Sequence, residues 1–259
     1  VANLDIHELP AARGCTYVVP ASDFSLALRV SQGFGDDAAI STAKKYLGVT
    51  DSELEKLSQA VIDALDSQPL DPRELKDALG DAVRNLGAEG KKRGTTTTLP
   101  LALGKLQTSG EIRRVPFSGR LDQQRYRYIR WHNPPRQHTS LSDLEAHSEL
   151  ARRYFQWIGS ATLAQFQWFS GLSGKLAKPA LATLGLVPLA EGDDRLLFAE
   201  DRDSLLAFQP ATEPNFVLTS GLDNITHLRR DVAGLLAEDE QGSTAFDEQG
   251  TLITLGGFG

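Results

Sequence analysis

The sequence predicts a mainly helical α+β fold built from tandem winged-helix modules, each a helix-turn-helix followed by a β-hairpin wing, with a C-terminal α/β extension. Two observations lead to this prediction. Helix-start signals recur at short intervals, and three short helical patterns are twice followed by a pair of extended segments. The length of 259 residues is sufficient to bury a core and to hold two or three such modules.

The first predicted module, residues 1–48, contains an apolar, β-prone run from Cys15 to Val19. After a turn, Ser22 or Asp23 is expected to cap a helix. The segment Gly33-Phe34-Gly35 lacks the context of a phosphate-binding loop and is interpreted as a turn. We interpret residues 1–48 as the remnant of a winged-helix module.

The second predicted module, residues 49–133, carries three helix-start signals. Thr50 and Glu53 form a capping box, and residues 71–74 combine an aspartate cap, a proline at the first helical position and a glutamate three residues after the cap. A third helix is predicted to begin near Thr98. In a winged helix this third helix enters the major groove of DNA, so we expect it to do so here.

Two extended segments follow the third helix and predict a hairpin. Residues 111–117 and 125–131 are joined through a turn around Ser118-Gly119, and the second segment alternates, with Arg125 and Arg127 on one face. This hairpin would lie along the DNA backbone, where its cations pair with phosphates. Such contacts supply affinity rather than sequence readout.

Positive charge is concentrated between Lys91 and Arg136. The whole chain has a formal net charge of −7, yet this stretch holds eleven lysines and arginines against only Glu111 and Asp122. A local excess of this kind attracts a polyanion, although a solvated face with acidic neighbours is the competing interpretation. The residues expected to contact DNA are Lys91, Lys92, Arg93, Thr97, Lys105, Arg113, Arg114, Arg120, Arg125 and Arg127.

The same order of elements recurs in residues 134–209. Ser142 and Glu145 form a further capping box, and two more short helical patterns precede a hairpin. The tip of that hairpin, residues 191–194, is acidic, so it is a poor phosphate clamp and is interpreted as structural. Residues 210–259 are expected to be an incomplete C-terminal segment.

The composition excludes several classes of protein. No apolar run reaches the roughly 18 residues that span a bilayer, and the first residues do not resemble a signal peptide, so we expect a cytoplasmic protein without membrane contact. The single cysteine, Cys15, allows no internal disulfide and is interpreted as a core residue. We expect no metal and no cofactor, because the five histidines lack ligand spacing. The chain also contains no methionine. Either modified methionines are missing from the sequence, or the chain is a processed fragment.

Three segments, spread over nearly the whole chain, resemble a known family. Residues 13–23, Arg-Gly-Cys-Thr-Tyr-Val-Val-Pro-Ala-Ser-Asp, resemble an Arg-Gly-Thr-x-His-Leu-Val-x-x-x-Asp stretch. Residues 159–172 resemble an Ala-Thr-x-x-Asp-Phe-x-x-Trp-x-Gly-Leu helix, and residues 217–231 resemble a Leu-Leu-Pro-x-x-Asp-x-x-Leu-x-x-Arg-Arg-Asp segment. The three motifs that these segments resemble are those of a winged-helix superfamily. That superfamily includes bacterial DNA glycosylases, which excise alkylated bases and unhook interstrand crosslinks.

The resemblance implies double-stranded DNA as the partner and N-glycosidic bond hydrolysis as the reaction, although Tyr17 replaces a frequent histidine. The family's catalytic Gln-x-Gln or Gln-x-Asp pair lies upstream of the Arg-Gly-Thr stretch, and we expect it to fall outside this sequence. Gln165 and Gln167 mimic the pair, but residues two apart point to different sides of a helix, so we reject them as catalytic.

Asp223 is a weak catalytic candidate, because a carboxylate could stabilise an oxocarbenium-like transition state. An N-cap or an ion pair with Arg229 or Arg230 is the competing role for this residue. For the whole chain, a non-catalytic winged-helix regulator and a winged-helix interaction scaffold are the alternative functions. The protein is expected to be a monomer.

Overall fold

The chain divides into two units, Val1–Ser142 and Asp143–Gly259. The computed structural model describes residues 6–119, 125–133, 141–209, 212, 213 and 228. The described part is mainly helical, and its strands form two-stranded antiparallel hairpins, so the predicted α+β class is confirmed. Within these residues no helix is both long and apolar enough to cross a membrane. The module boundaries at residues 48, 133 and 209 stay predictions.

The first unit contains six α-helices and four strands among its described residues, besides three short 3-10 helices. In chain order these are β1 (Ile6–Pro10), β2 (Thr16–Pro20), α1 (Phe24–Val30), α2 (Asp36–Leu47), α3 (Asp51–Ser67), α4 (Pro72–Leu79), α5 (Gly87–Lys92), α6 (Leu99–Ser109), β3 (Ile112–Pro116) and β4 (Tyr126–Arg130). Cys15 lies just before β2 and is exposed, so its interpretation as a core residue is wrong. The apolar run that follows it is not fully buried either, since alternate residues of β2 face solvent.

The starts of α3 and α4 follow the predicted caps, but the Glu53 carboxylate pairs with Arg84 instead of completing a capping box with Thr50, and Asp23 makes no side-chain cap hydrogen bond to α1. The Thr50 side chain accepts a hydrogen bond from the Glu53 backbone N–H at 3.1 Å, and α3 begins at the next residue. Asp71 accepts hydrogen bonds from the backbone N–H groups of Arg73 and Glu74, both at 2.8 Å, and the Glu74 carboxylate accepts one from the Asp71 N–H. These caps satisfy N–H groups that have no partner within the helix, which fixes where each helix begins.

A one-residue bridge joins the helices of the first unit to its hairpin. Leu70, between α3 and α4, exchanges two backbone hydrogen bonds with Tyr128 of β4, at 3.1 and 2.8 Å. Both side chains are buried in a core that includes Leu75, Leu106 and Ile112. The hairpin is therefore fixed to the start of α4 by backbone pairing and by burial together.

Helix α6 is enclosed by its neighbours along most of its length. Of its eleven residues only Pro100 is exposed, while Lys105 and Ser109 are half-buried. At Gly104 the α2 residue Asp36 packs so closely that a Cβ atom would lie 2.3 Å from the Asp36 Cγ. The prediction that this helix enters the major groove is wrong, because a groove-reading helix must expose a row of side chains.

Like the first unit, the second contains consecutive helices followed by a two-stranded hairpin, in a shorter form. Its described elements are α7 (Asp143–Ile158), α8 (Leu163–Ser170), α9 (Gly174–Ala182), β5 (Val187–Pro188), β6 (Leu196–Leu197) and α10 (Ala199–Ala207). Ala161, between α7 and α8, exchanges backbone hydrogen bonds of 3.0 and 2.8 Å with Leu196 of β6. The bridge thus connects the same positions as Leu70 and Tyr128 do in the first unit.

The core of the second unit is aromatic. Tyr154 stacks on Phe169 with ring centroids 4.6 Å apart, and Phe155 and Phe166 complete the cluster. All four side chains are fully buried, and aromatic rings of this size contribute much of the apolar area of a small core. This cluster anchors α7 and α8, while in the described part of the chain the buried residues of α9 are Ala177, Ala180 and Leu181.

Candidate nucleic-acid interface

The end of α5 carries three of the predicted DNA-binding residues. Lys91 is exposed and makes no ion pair with any described residue. The Lys92 Nζ lies 3.8 Å from the Glu89 carboxylate, and its side chain is 76% exposed. Arg93 is held more firmly, because its guanidinium pairs with Glu89 at 2.9 Å and lies 4.1 Å from the centroid of the Tyr46 ring. Lys91 and Lys92 are therefore the accessible cations here.

The outer part of the β3–β4 hairpin combines arginines with aromatic rings. The guanidinium groups of Arg125 and Arg127 lie 5.1 and 4.6 Å from the centroid of the Phe117 ring. Arg127 is also tied to Glu74 at 3.2 Å, whereas exposed Arg125 has no ion-pair partner among the described residues. Among the described arginines of this hairpin, Arg125 is thus the most available to a phosphate.

Two hairpin arginines point inward instead. Arg113 is 9% exposed, with its guanidinium 5.6 Å from the Trp131 ring centroid and its Nη1 3.4 Å from Nδ1 of His7. Burial lowers the pKa of Arg113. Arg114 is half-buried and lies 4.4 Å from the centroid of the Tyr126 ring. Neither side chain lies on the exposed edge of the hairpin.

The remaining predicted residues are tied down or lie outside the described part. Lys105 of α6 pairs with Glu55 of α3. Thr97 is half-buried and forms an isolated backbone bridge with Asn85. Arg120, the catalytic candidate Asp223 and the possible partners of Asp223, Arg229 and Arg230, lie outside the described residues.

Helix α9 presents an accessible basic face that the sequence reasoning missed. Lys175 and Lys178 are exposed and make no ion pair with a described residue, and Leu176 between them is 45% exposed. The overlooked signal is the absence of any aspartate or glutamate from residue 150 to residue 190. A count of positive charges does not reveal this signal, because the same stretch holds only two other cations, Arg152 and Arg153.

A carboxylate beside the hairpin was also missed. Asp36 begins α2 and is half-buried against α6 at Gly104. Burial raises the pKa of Asp36, while the positive charge of Arg114 acts in the opposite direction. The sequence hint of this contact is Gly104 in the middle of the α6 pattern, since a glycine within a helix permits close approach by another element.

The two glutamines that mimic a catalytic pair have structural contacts. The Gln165 side chain accepts a hydrogen bond from the Thr162 backbone N–H at 2.8 Å, which completes the cap of α8. The Gln167 side chain donates to the backbone carbonyl of Leu172 at 3.4 Å. Both amides therefore stabilise α8 and the turn that follows it.

The family is decided by comparison with known proteins. The family model of DNA glycosylase AlkZ-like proteins matches residues 1–256. The chain belongs to the AlkZ-like DNA glycosylase family. The superfamily resemblance found in the sequence is thereby confirmed, and it rests on nearly the whole chain rather than on three segments.

A solved structure supports the same fold. Streptomyces sahachiroi DNA glycosylase AlkZ matches with a TM-score of 0.56 and 20% sequence identity, over 81% of this chain. The match spans 56% of the AlkZ chain, so this member of the AlkZ-like family corresponds to about half of that protein's length. No curated protein sequence matches.

The buried His7 predicts a pH-dependent stability. Burial, followed by the charge of Arg113, lowers the pKa of His7 from 6.5 to about 4. Between those values the unfolded chain binds the proton and the folded chain does not, so folding stability is complete above pH 6.5 and declines as the pH falls toward 4. The loss at pH 4 should approach about 3 kcal/mol, measured by urea unfolding at a series of pH values.

The matched variants for this measurement are His7→Gln and His132→Gln. His7→Gln should flatten the dependence of the unfolding free energy on pH in this window, whatever its effect on absolute stability. His132 is exposed, so His132→Gln should keep the original slope. An unchanged slope in His7→Gln would show that another group carries the effect.

Proposed function

We propose that the chain binds double-stranded DNA through two tandem winged-helix modules, residues 49–133 and 134–209, as part of a DNA glycosylase. Its membership of the AlkZ-like family over residues 1–256 carries this proposal. Each module contributes a different surface. The hairpin and α5 of the first module face the DNA backbone, and α9 of the second module supplies a helix with an open face. One chain carries both modules and acts as a monomer.

The paired bridges support the winged-helix assignment. In both modules a residue between the first two helices pairs with the second strand of the hairpin, Leu70 with Tyr128 and Ala161 with Leu196. Such pairing gives each hairpin a fixed direction relative to its helices. A wing needs that fixed direction to lie along a backbone while the helices approach a groove.

The accessible cations of the first module support phosphate binding. Lys91, Lys92 and Arg125 are exposed and need to break no close ion pair before they meet DNA. Neutralising phosphates releases counterions from DNA, which yields affinity without sequence preference. The other residues named from the sequence, Arg93, Thr97, Lys105, Arg113, Arg114 and Arg120, remain hypotheses as direct contacts.

Helix α9 is proposed as the groove-facing helix, in place of the enclosed α6. It occupies the same position in its module as α6 does in the first, directly before the hairpin. Lys175 and Lys178 lie three residues apart and so share one face of the helix. The acidic tip of the following hairpin is partly neutralised, because Arg195 pairs with Asp193.

Charge reversal at the first hairpin is the direct test of phosphate binding. Arg125→Glu should weaken binding to unrelated duplexes alike, and it should reduce the slope of log affinity against log salt by about 0.9 for each phosphate that is no longer neutralised. Fluorescence anisotropy at several salt concentrations measures both quantities. Lys56→Glu, an exposed position on α3, is the charge-matched control. If Arg125→Glu and Lys56→Glu lower the affinity equally, the loss reflects the change in net charge and not a phosphate contact of Arg125.

The α9 surface is tested separately with Lys175→Glu/Lys178→Glu. This double variant should lower duplex affinity and reduce the salt slope by up to about 1.8, since two phosphates would no longer be neutralised. Lys175→Arg/Lys178→Arg keeps both charges and should retain the original slope. If the double reversal binds as the unmodified chain does, α9 makes no contact with DNA.

Base release is the test of the proposed glycosylase activity. Incubation with duplex DNA that bears N7-alkylated guanine should generate abasic sites, detected as strand breaks after alkali, because hydrolysis of the N-glycosidic bond removes the base. Asp223→Asn should slow this release if the carboxylate stabilises the transition state. Binding without base release would refute the activity and leave the DNA-binding proposal standing.

A further inference from the structure

A cavity of about 280 Å³ lies in the second unit, between the start of α8, the end of α9 and the β5–β6 hairpin. Its walls are leucine and alanine side chains with a single lysine, and they include Leu163, Lys178, Leu181, Ala182, Leu186 and Leu196. The volume is just below the usual range for sites of drug-sized ligands. It therefore suits a short alkyl chain or a single ring.

Three of the leucines leave apolar surface open to this cavity. Leu163, Leu186 and Leu196 are each half-buried, although they come from separate parts of the chain. The backbone bridge between Ala161 and Leu196 holds the start of α8 beside β6, so this apolar surface is built by a fixed contact. A ligand that covers the surface gains free energy by removing it from water.

Lys178 gives the cavity its charge. Among the described residues that line the cavity it alone is charged, and it is exposed without an ion pair to any described residue. The aliphatic stem of a lysine can follow an apolar wall while its ammonium group stays in water. The chain has no aspartate or glutamate from residue 150 to residue 190, so α8 and α9 carry no carboxylate that competes for this ammonium group.

We propose that this cavity binds a small organic anion with an apolar body, of the class of medium-chain carboxylates. The body covers the open leucine surface, and the carboxylate pairs with Lys178. A cation would be repelled by Lys178, and a wholly polar ligand would lose its hydration against leucine walls without gaining hydrogen bonds. A bound anion also takes Lys178 from DNA, a consequence that rests on the proposed function of α9.

The site is tested by titrating the full chain with octanoate and observing the leucine methyl groups by NMR. The methyl resonances of Leu163, Leu186 and Leu196 should shift. Octanoate should bind about fourfold more tightly than heptanoate, because each further buried methylene contributes about that factor. Absence of these shifts would overturn the site.

The charge is tested with two variants of α9. Lys178→Gln should weaken octanoate binding by roughly two- to fivefold, as expected for an exposed ion pair, and should leave the binding of the uncharged 1-octanol unchanged. Lys175→Gln removes the same charge from an exposed position that does not line the cavity, so it should retain the affinity for octanoate. Equal octanoate affinity in the two variants would overturn the pairing with Lys178.

The location is tested by filling the cavity. Ala182 is exposed and lines it, so Ala182→Leu should abolish octanoate binding while the melting temperature stays close to that of the unmodified chain. Ala164→Leu adds the same bulk at an exposed position of α8 outside the cavity and should bind octanoate normally. Octanoate binding that survives in Ala182→Leu would overturn the site.

The consequence for DNA is measured by fluorescence anisotropy, with octanoate at saturation and with the same concentration of acetate, which has the charge without the apolar body. Octanoate should weaken duplex binding relative to acetate and reduce the slope of log affinity against log salt by about 0.9, the value for one phosphate. Octanoate that binds without changing duplex affinity overturns the competition. A chain that binds octanoate but no duplex overturns the proposed DNA binding and leaves the anion site standing.

Discussion

The hairpin of the first unit depends on the pairing of Leu70 with Tyr128. Two backbone hydrogen bonds, at 3.1 and 2.8 Å, join the connection between α3 and α4 to the second strand of the hairpin. The next residue, Asp71, caps α4, so the bridge lies directly before the start of that helix. The ion pair between Glu74 of α4 and Arg127 of β4 joins the same two elements. A buried backbone pair is suited to the role, since breaking it would leave unsatisfied polar groups in the core.

The protein's own acids decide which of its many cations are available. Arg127, Arg130 and Lys105 pair with carboxylates on α4 and α3 that are distant from them in the sequence. These are half-exposed pairs, so each contributes little to stability and can exchange for a phosphate. An acidic chain can in this way carry a basic surface whose strength is set by a few accessible residues, such as Lys91 and Arg125.

The cluster around Arg113 shows a different use of a cation. Its guanidinium is buried against Trp131 and beside His7, whose imidazole also packs near Phe24 at a centroid distance of 5.0 Å. A buried charge is tolerated only where neighbours compensate for lost water, and the ring of Trp131 supplies part of that compensation. The lowered pKa of His7 follows from the same arrangement, because burial disfavours its charged form and the positive charge of Arg113 repels a second one.

Local signals in the sequence determined much of this protein. The caps at Thr50 and Asp71, the hairpin after α6, the mainly helical α+β class and the family were all predicted, because caps, turns and periodic patterns depend on residues within a few positions of each other. The tertiary structure alone decided that α6 is enclosed, that Cys15 is exposed and that Arg113 is buried. These outcomes depend on which distant segments pack together, as Asp36 does against Gly104. A charge count cannot distinguish a cation facing solvent from one facing a ring or a carboxylate, since that choice is made only when the elements meet.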